Sequence, residues 1–257
     1  MRIIKYLFIS IAILLCGCVS QQKILVEAPY GLPFATASAP RGTTLAYKGF
    51  YVSYNTNNKT PNWVCYSLTD RETQGDYSRK GKQFRPDPNI ALPQADNNDY
   101  RNSGWSRGHM APAADFKWDE NALDDTFYFT NCCPQDEKLN SGQWNTLEKK
   151  AREWAKKYGE VTIVTGPIYQ KRTYGTIGKN KVAVPDAFFK ALLVFSENGA
   201  QAIAFVMNNS KQNENMQRCA LSIDELEIIT GYDFFPNLDD SIEKTIEASF
   251  SLKAWGL

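Results

Sequence analysis

An α+β fold is predicted by three features of the sequence. Strand-like and helix-like runs are mixed without an alternating repeat; Ala191 to Phe195 and Gln201 to Met207 flank Glu197-Asn198-Gly199 as a hairpin; and Gln143 to Tyr158 carries apolar residues at helical spacing. A central sheet, mixed but mainly antiparallel and flanked by helices, satisfies all three. At 257 residues with 43% hydrophobic and 13% aromatic content, the chain can bury a sizeable core within one domain.

Taken from the N-terminus, Arg2 and Lys5 precede the apolar run Tyr6 to Leu15, which suits a signal-peptide core and is too short to span a bilayer. Cys18 follows the small residue Gly17, as in a bacterial lipoprotein box, whereas Cys16 follows bulky Leu15. The expectation is a lipoprotein signal peptide over 1–18, with lipidated Cys18 holding an exported bacterial protein on a periplasmic or surface face of the cell envelope. An ordinary cleaved signal is the alternative. Residues 19–44, rich in Ala, Pro, Gly, Ser and Gln, read as a flexible tether, and the folded domain is expected over 45–257.

Tyr51 to Tyr54 and Trp63 to Leu68 read as strands around a polar loop, followed by a turn-rich region from Thr69 to Ser103 that is long enough to be functional. Within it Phe84-Arg85-Pro86-Asp87-Pro88 is stiff, which makes Arg85 either a site residue or a solvated one. Thr126 to Asn131 reads as a strand. In the helix from Gln143, Trp144, Leu147, Ala151, Trp154, Ala155 and Tyr158 share the apolar face, while Glu148 and Arg152 stand four apart on another. On spacing alone, Asn140 is an N-cap and Glu148 with Arg152 a surface ion pair. Val161 to Thr165 is a buried strand turning at Gly166-Pro167. Lys171, Arg172, Lys179 and Lys181 make Gln170 to Pro185 the best local candidate for a phosphate-backbone surface. Ser222-Ile223-Asp224-Glu225 is a capping box for a helix ended by Gly231, and a last helix covers Leu238 to Ala248.

Formal net charge is +1, and losing Arg2 and Lys5 would leave 27 basic against 28 acidic side chains, so bulk charge argues for no nucleic-acid partner. Cys65, Cys132, Cys133 and Cys219 include no Cys-x-x-Cys pair, which disfavours structural zinc. One disulfide from Cys65 or Cys219 to either member of the adjacent pair is compatible with export, its connectivity open.

His109 is the only histidine, so sites built on two imidazoles are excluded and one general base remains. It lies in Gly-Trp-Ser-Arg-Gly-His-Met-Ala-Pro-Ala-Ala-Asp, Gly104 to Asp115, with Arg107 two residues earlier. On extended backbone both would point to the same face, a pairing that suits phosphate.

Four blocks carry a resemblance. Ser106-Arg107-Gly108-His109-Met110-Ala111-Pro112 is similar to an Asp-Arg-Gly-His signature; Asp124-Asp125-Thr126-Phe127-Tyr128 and Thr130-Asn131-Cys132-Cys133-Pro134-Gln135 to the segment and Asn-x-x-Pro-Gln turn that follow it; Leu139-Asn140-Ser141-Gly142-Gln143-Trp144, Leu147-Glu148 and Arg152 to a metal-finger helix; and Val164-Thr165-Gly166-Pro167 to the next core strand. In that order they resemble the DNA/RNA non-specific endonuclease family, the ββα-metal, endonuclease G-like nucleases.

The resemblance implies a Mg²⁺-dependent (Mn²⁺ as substitute), sugar-non-specific endonuclease that hydrolyses phosphodiester bonds of DNA and RNA and leaves 5′ phosphates. His109 would be the general base, Asn140 the direct Mg²⁺ ligand and Glu148 a carboxylate holding a water of the ion's hydration shell. Arg107, Arg152 and Arg85 would hold the phosphate, and a homodimer is compatible. Ser106 stands where the family carries an acid, which keeps a catalytically impaired, lipid-anchored nucleic-acid-binding protein as the alternative. A cysteine hydrolase pairing Cys132 or Cys133 with His109 lacks any nucleophile motif.

Overall fold

The structure, a computed structural model, describes residues 28–257 except positions 172, 198 and 213. The expected signal peptide and lipidated Cys18 lie outside the described residues, as do Arg172 and the first part of the expected tether.

Along the chain, β1 (Phe34–Ala35), β2 (Thr43–Ala46), β3 (Tyr51–Asn55) and β4 (Thr60–Thr69) precede a loop region holding the short helix α1 (Asn97–Tyr100). Then β5 (Ser106–His109), α2 (Glu120–Asp125) and β6 (Cys132–Gln135) lead into α3 (Glu137–Leu139) and the long α4 (Asn145–Tyr158). Next come β7 (Glu160–Ile168), β8 (Thr176–Ile177), β9 (Val182–Ala183), β10 (Ala187–Ser196) and β11 (Gly199–Asn208). The chain closes with β12 (Ala220–Leu221), α5 (Ile223–Thr230), β13 (Tyr232–Asp233), α6 (Asp240–Glu247) and α7 (Leu252–Trp255).

Seven strands form the central sheet in the order β12-β11-β10-β7-β4-β3-β2, and every neighbouring pair is antiparallel. Among the described residues, parallel pairing is confined to an isolated bridge between Arg85 and Tyr128. Both faces of the sheet are covered, which explains why β10 reads Ala-Phe-Phe-Lys-Ala-Leu-Leu-Val instead of alternating with polar residues. Its side chains still alternate by face. Phe188, Leu192 and Val194 pack with Trp144, Leu147 and Ala151 of the α4 segment, whereas Phe189, Ala191 and Leu193 pack with Ile223 and Leu226 of α5 and Ile246 of α6. Lys190 belongs to the α4 side. The capping box works as read: Ser222 Oγ accepts from Glu225 N, and Gly231 ends α5 at φ +73°.

Several expectations need correction. The described part of the expected tether, from residue 28 on, already belongs to the fold, because β1 pairs with β13, β2 forms the sheet edge on β3, and Ala39 between them is buried. Low periodicity there reflects two short strands with a turn-rich link between them. Thr126–Asn131 is a turn and one 3₁₀ turn, with the strand beginning at Cys132. Its apolar residues, Phe127 and Phe129, are buried from a loop whose Asn131 replaces ladder bonds by side-chain bonds. Gly166-Pro167 continues β7 instead of turning, and glycine suits the position because a Cβ there would lie 2.4 Å from Asn62 O. Among the described residues, Cys65, Cys132, Cys133 and Cys219 are all free thiols, so the expected disulfide between them is not formed.

Asn131 braces the segment after β5. Its Oδ1 accepts from Ala111 N at 2.8 Å, and its Nδ2 donates to Ala111 O and Thr126 O at 2.9 Å each. Truncation would orphan three buried backbone groups, so Asn131→Ala is expected to lower stability by at least ~2 kcal/mol in urea unfolding.

Candidate active site

β5 and β6 form a two-stranded antiparallel ribbon pairing Ser106 with Gln135 and His109 with Cys132. Gly108 permits the ribbon's close packing, because a Cβ there would lie 2.2 Å from Gln135 Oε1. The chain then passes through α3 and α4, so ribbon and helix make a ββα unit. Its hinge is tied down by Asn209, which accepts from Asp136 N at 2.8 Å and donates to Pro134 O at 3.1 Å.

The ribbon ends at His109, whose ring lies 4.5 Å from the Phe84 ring and meets Phe127 edge-on at 5.1 Å. Nε2 is buried without a hydrogen-bond partner, which leaves Nδ1 as the nitrogen open to a reactant. Burial, with the Arg79 charge adding to it, lowers the imidazole to about 3. The ring is neutral at physiological pH, as a general base must be.

Between α3 and α4 lies a wide π-type turn, Asn140–Trp144, with Gly142 out of helical geometry at φ −98°, ψ −113°. Such turns absorb an extra residue and recur at functional sites. Asn140 opens this turn. It is not the N-cap that spacing suggested, since α3 precedes it and its N–H donates to Asp136 O. The carboxamide has no hydrogen-bond partner among the described residues.

Glu148, on the next turn of α4, is half-buried and also lacks a hydrogen-bond partner among the described residues. Burial pushes its carboxyl up to about 7; Lys190 opposes that rise and Asp115 adds to it. The expected Glu148–Arg152 surface pair is replaced: Arg152 Nη1 donates to buried Asp115 at 2.6 Å, and Tyr66 OH donates to the same carboxylate at 2.8 Å. The other guanidinium nitrogens of Arg152 make no hydrogen bond among the described residues.

Arg107 lies over the Tyr100 ring at 5.4 Å, and its Nε is buried without a partner. Arg85 is engaged elsewhere: it pairs with Asp124 and lies 4.2 Å from the Tyr128 ring centroid. The stiff Pro-flanked segment holds its guanidinium against Asp124, where Nη2 also donates to the Asp124 carbonyl at 3.1 Å. Arg79, by contrast, is an exposed guanidinium 5.8 Å from the Phe127 ring whose charge is felt by both His109 and Glu148. Arg79 sits among other loop cations, Arg71, Lys80 and Lys82, and no spacing singles it out.

Lys190 was also missed, although a lone lysine inside an apolar strand is a legible signal. It is fully buried, its Nζ has no hydrogen-bond partner and lies 4.9 Å from the Trp144 ring centroid. Burial lowers its ammonium, opposed by Glu148 and Asp115. Ser106 donates to Glu137, so a carboxylate does stand beside the ribbon's start, although the strand itself lacks one. In the 170–185 loop Lys171, Lys179 and Lys181 are exposed, and Tyr174 packs edge-on against Trp105 at 5.0 Å.

The donor set fits Mg²⁺. Two hard oxygen side chains, Asn140 and Glu148, have no hydrogen-bond partner among the described residues, and Mg²⁺ takes few protein ligands because it keeps much of its hydration.

The lone imidazole gives a direct titration. Because His109 titrates near 3 when folded and near 6.5 when unfolded, the unfolded chain takes up its proton first as pH falls. Its contribution to stability is complete above 6.5 and is lost as pH falls toward 3. The histidine ring resonances in metal-free protein are expected to stay at their neutral positions from pH 8 to about 5 by NMR; a midpoint near 6.5 contradicts this burial.

The profile of the DNA/RNA non-specific endonuclease family matches residues 34–241. The chain is 38% identical over 224 residues to the mitochondrial nuclease EXOG of Danio rerio, covering 81% of this chain and 64% of that protein. It is 36% identical over 224 residues to mitochondrial endonuclease G of Homo sapiens, covering 82% and 73% of the two. A chain from the crystal structure of the EndoG/EndoGI complex superimposes with a TM-score of 0.76 at 29% identity, covering 83% of this chain and 91% of that one. The chain thus spans just under two thirds of the zebrafish nuclease it matches. These relatives correct the location expected from residues 1–18: they are named mitochondrial nucleases of eukaryotes, which conflicts with a bacterial cell-envelope lipoprotein. A charged-then-apolar N-terminus is an address, and its pattern alone does not fix the compartment. From the profile match, these identities and the shared fold, the chain belongs to the DNA/RNA non-specific endonuclease family.

Proposed function

We propose that this protein is a Mg²⁺-dependent, sugar-non-specific endonuclease that hydrolyses phosphodiester bonds in DNA and RNA and leaves 5′ phosphates. The observation that carries this reading is a neutral His109, open only at Nδ1, on a ribbon that runs directly into the Asn140 turn and Glu148.

In this reading His109 Nδ1 accepts a proton from the attacking water, whose oxygen forms the new bond to phosphorus in line with the leaving group. The P–O3′ bond breaks, and its electron pair goes to the 3′ oxygen, which is protonated from solvent. Arg79, Arg107 and the free side of Arg152 hold the non-bridging oxygens, a task for fixed cations in a site of restricted solvent access. Asn140 would hold Mg²⁺, with Glu148 accepting from its hydration waters; when bound, the ion supplies positive charge against the phosphate and the departing oxygen. Contacts confined to phosphate leave base edges unread, so sequence preference is weak. Asp115 is a positioning residue that fixes Arg152, and Lys190 lends positive charge beneath Glu148.

A catalytically impaired nucleic-acid-binding protein is the second reading, motivated by Ser106 in the acid position; the Ser106–Glu137 contact weakens that motive.

Plasmid nicking separates the two. Wild-type protein is expected to cut with Mg²⁺ and stop with EDTA, and His109→Ala to lose ~10²–10⁴-fold while retaining DNA binding. Binding without turnover in the wild type supports the impaired fold; unchanged cutting by His109→Ala removes the base. Glu148 works ionised and titrates at about 7, so at limiting Mg²⁺ the rate is expected to rise with pH through neutrality. Glu148→Gln is expected to abolish that limb along with most activity.

A further inference from the structure

Across the sheet from His109, α5 and α6 bring together carboxylates that phosphodiester cleavage does not use. Asp224 and Glu227 stand three apart on α5, and Glu243 and Glu247 four apart on α6, with Asp233 of β13 nearby. Within this group, Asp224, Glu227 and Glu247 each offer an oxygen within 4.8 Å of the others.

Acidic surfaces are common, and proximity alone would mean little. Glu247 is different. It is only 5% exposed, and its Oε1 is buried with no donor to meet it. Glu227 has one, accepting from Phe234 N at 2.8 Å. Burial first, and then the acidic neighbours Glu227, Glu243, Asp224 and Asp233, push its carboxyl up to about 9. Burial, with Asp233, Asp224 and Glu243 adding to it, raises Glu227 to about 7. A carboxylate withdrawn from water among like charges must either keep a proton or meet a cation.

We propose that Asp224, Glu227 and Glu247 form a divalent-cation site, separate from the catalytic centre, that takes Ca²⁺ and clamps α5 to α6. Oxygens on opposite sides of Ca²⁺ stand about 4.6–5.2 Å apart, so the three carboxylates already lie within one coordination sphere. Ca²⁺ accepts irregular sets of oxygens, including bidentate carboxylates, whereas Mg²⁺ demands a near-ideal octahedron that two helices and no chelating loop do not supply. The ion turns the repulsion between the helices into a crosslink. Helix α5 packs on β11 and β10, and α6 on β11, so the clamp secures that layer of the fold.

The test uses full-length protein carrying Asn140→Ala, which removes the direct ligand of the catalytic ion. Calcium chloride alone is titrated by calorimetry and by thermal unfolding at pH 7. One site is expected, with a rise in Tm of roughly 5 °C at a hundred-fold excess over Kd. Adding Glu247→Gln should abolish both the heat and the shift, and Asp224→Asn, at an exposed position, should weaken binding at least ~10-fold without perturbing the fold. No binding in the Asn140→Ala protein, or binding unchanged by Glu247→Gln and Asp224→Asn, overturns the site. Tighter binding of magnesium than calcium overturns the choice of ion.

Discussion

The proposed chemistry depends on keeping one imidazole uncharged. His109 is walled by Phe84 and Phe127, faces Arg79, and has no carboxylate bonded to its ring. Each of these disfavours the imidazolium, and an apolar wall does so without supplying a competing acceptor. The cost is a buried Nε2 without a partner, which the surrounding fold must offset. Asn131 and Asn209 are part of that support. They bond backbone on either side of the ribbon and hold it where regular strand pairing stops.

The helix side of the site is built on compensated charge. Asp115 is buried with Arg152 and Tyr66, and Lys190 is buried beneath Glu148 and Trp144. Buried ions cost several kcal/mol each to desolvate, so this set is poor as a source of stability. It instead leaves Glu148 and Asn140 as oxygen donors without protein partners. The π-type turn contributes in the same sense. It displaces Asn140 from an ordinary capping role into one where its carboxamide is free.

Much of this was legible in the sequence, and what was not has identifiable reasons. The β10–β11 hairpin, α4, and the Ser222 to Gly231 helix follow from local patterns that tertiary packing leaves intact. His109, Asn140 and Glu148 stood out through the order and spacing of four blocks. Partnerships over long sequence separations did not. Asp115 and Arg152 are 37 residues apart, and nothing local tells an arginine's true partner from the carboxylate one turn away. Arg85 looked like a site residue because prolines stiffen its segment, but the stiffness serves a bond to Asp124. The segment before β2 looked like tether because two-residue strands carry too little pattern to register.

The proposed mechanism requires His109 to sit beside a cation held by Asn140, and the single histidine makes that adjacency measurable. Mn²⁺, which replaces Mg²⁺ on oxygen ligands, broadens proton resonances near it. In a Mn²⁺ titration, the His109 ring signals are expected to broaden beyond detection at substoichiometric ion in the wild type and to stay sharp in Asn140→Ala. Sharp His109 signals in the wild type, or equal broadening in both proteins, would contradict the account.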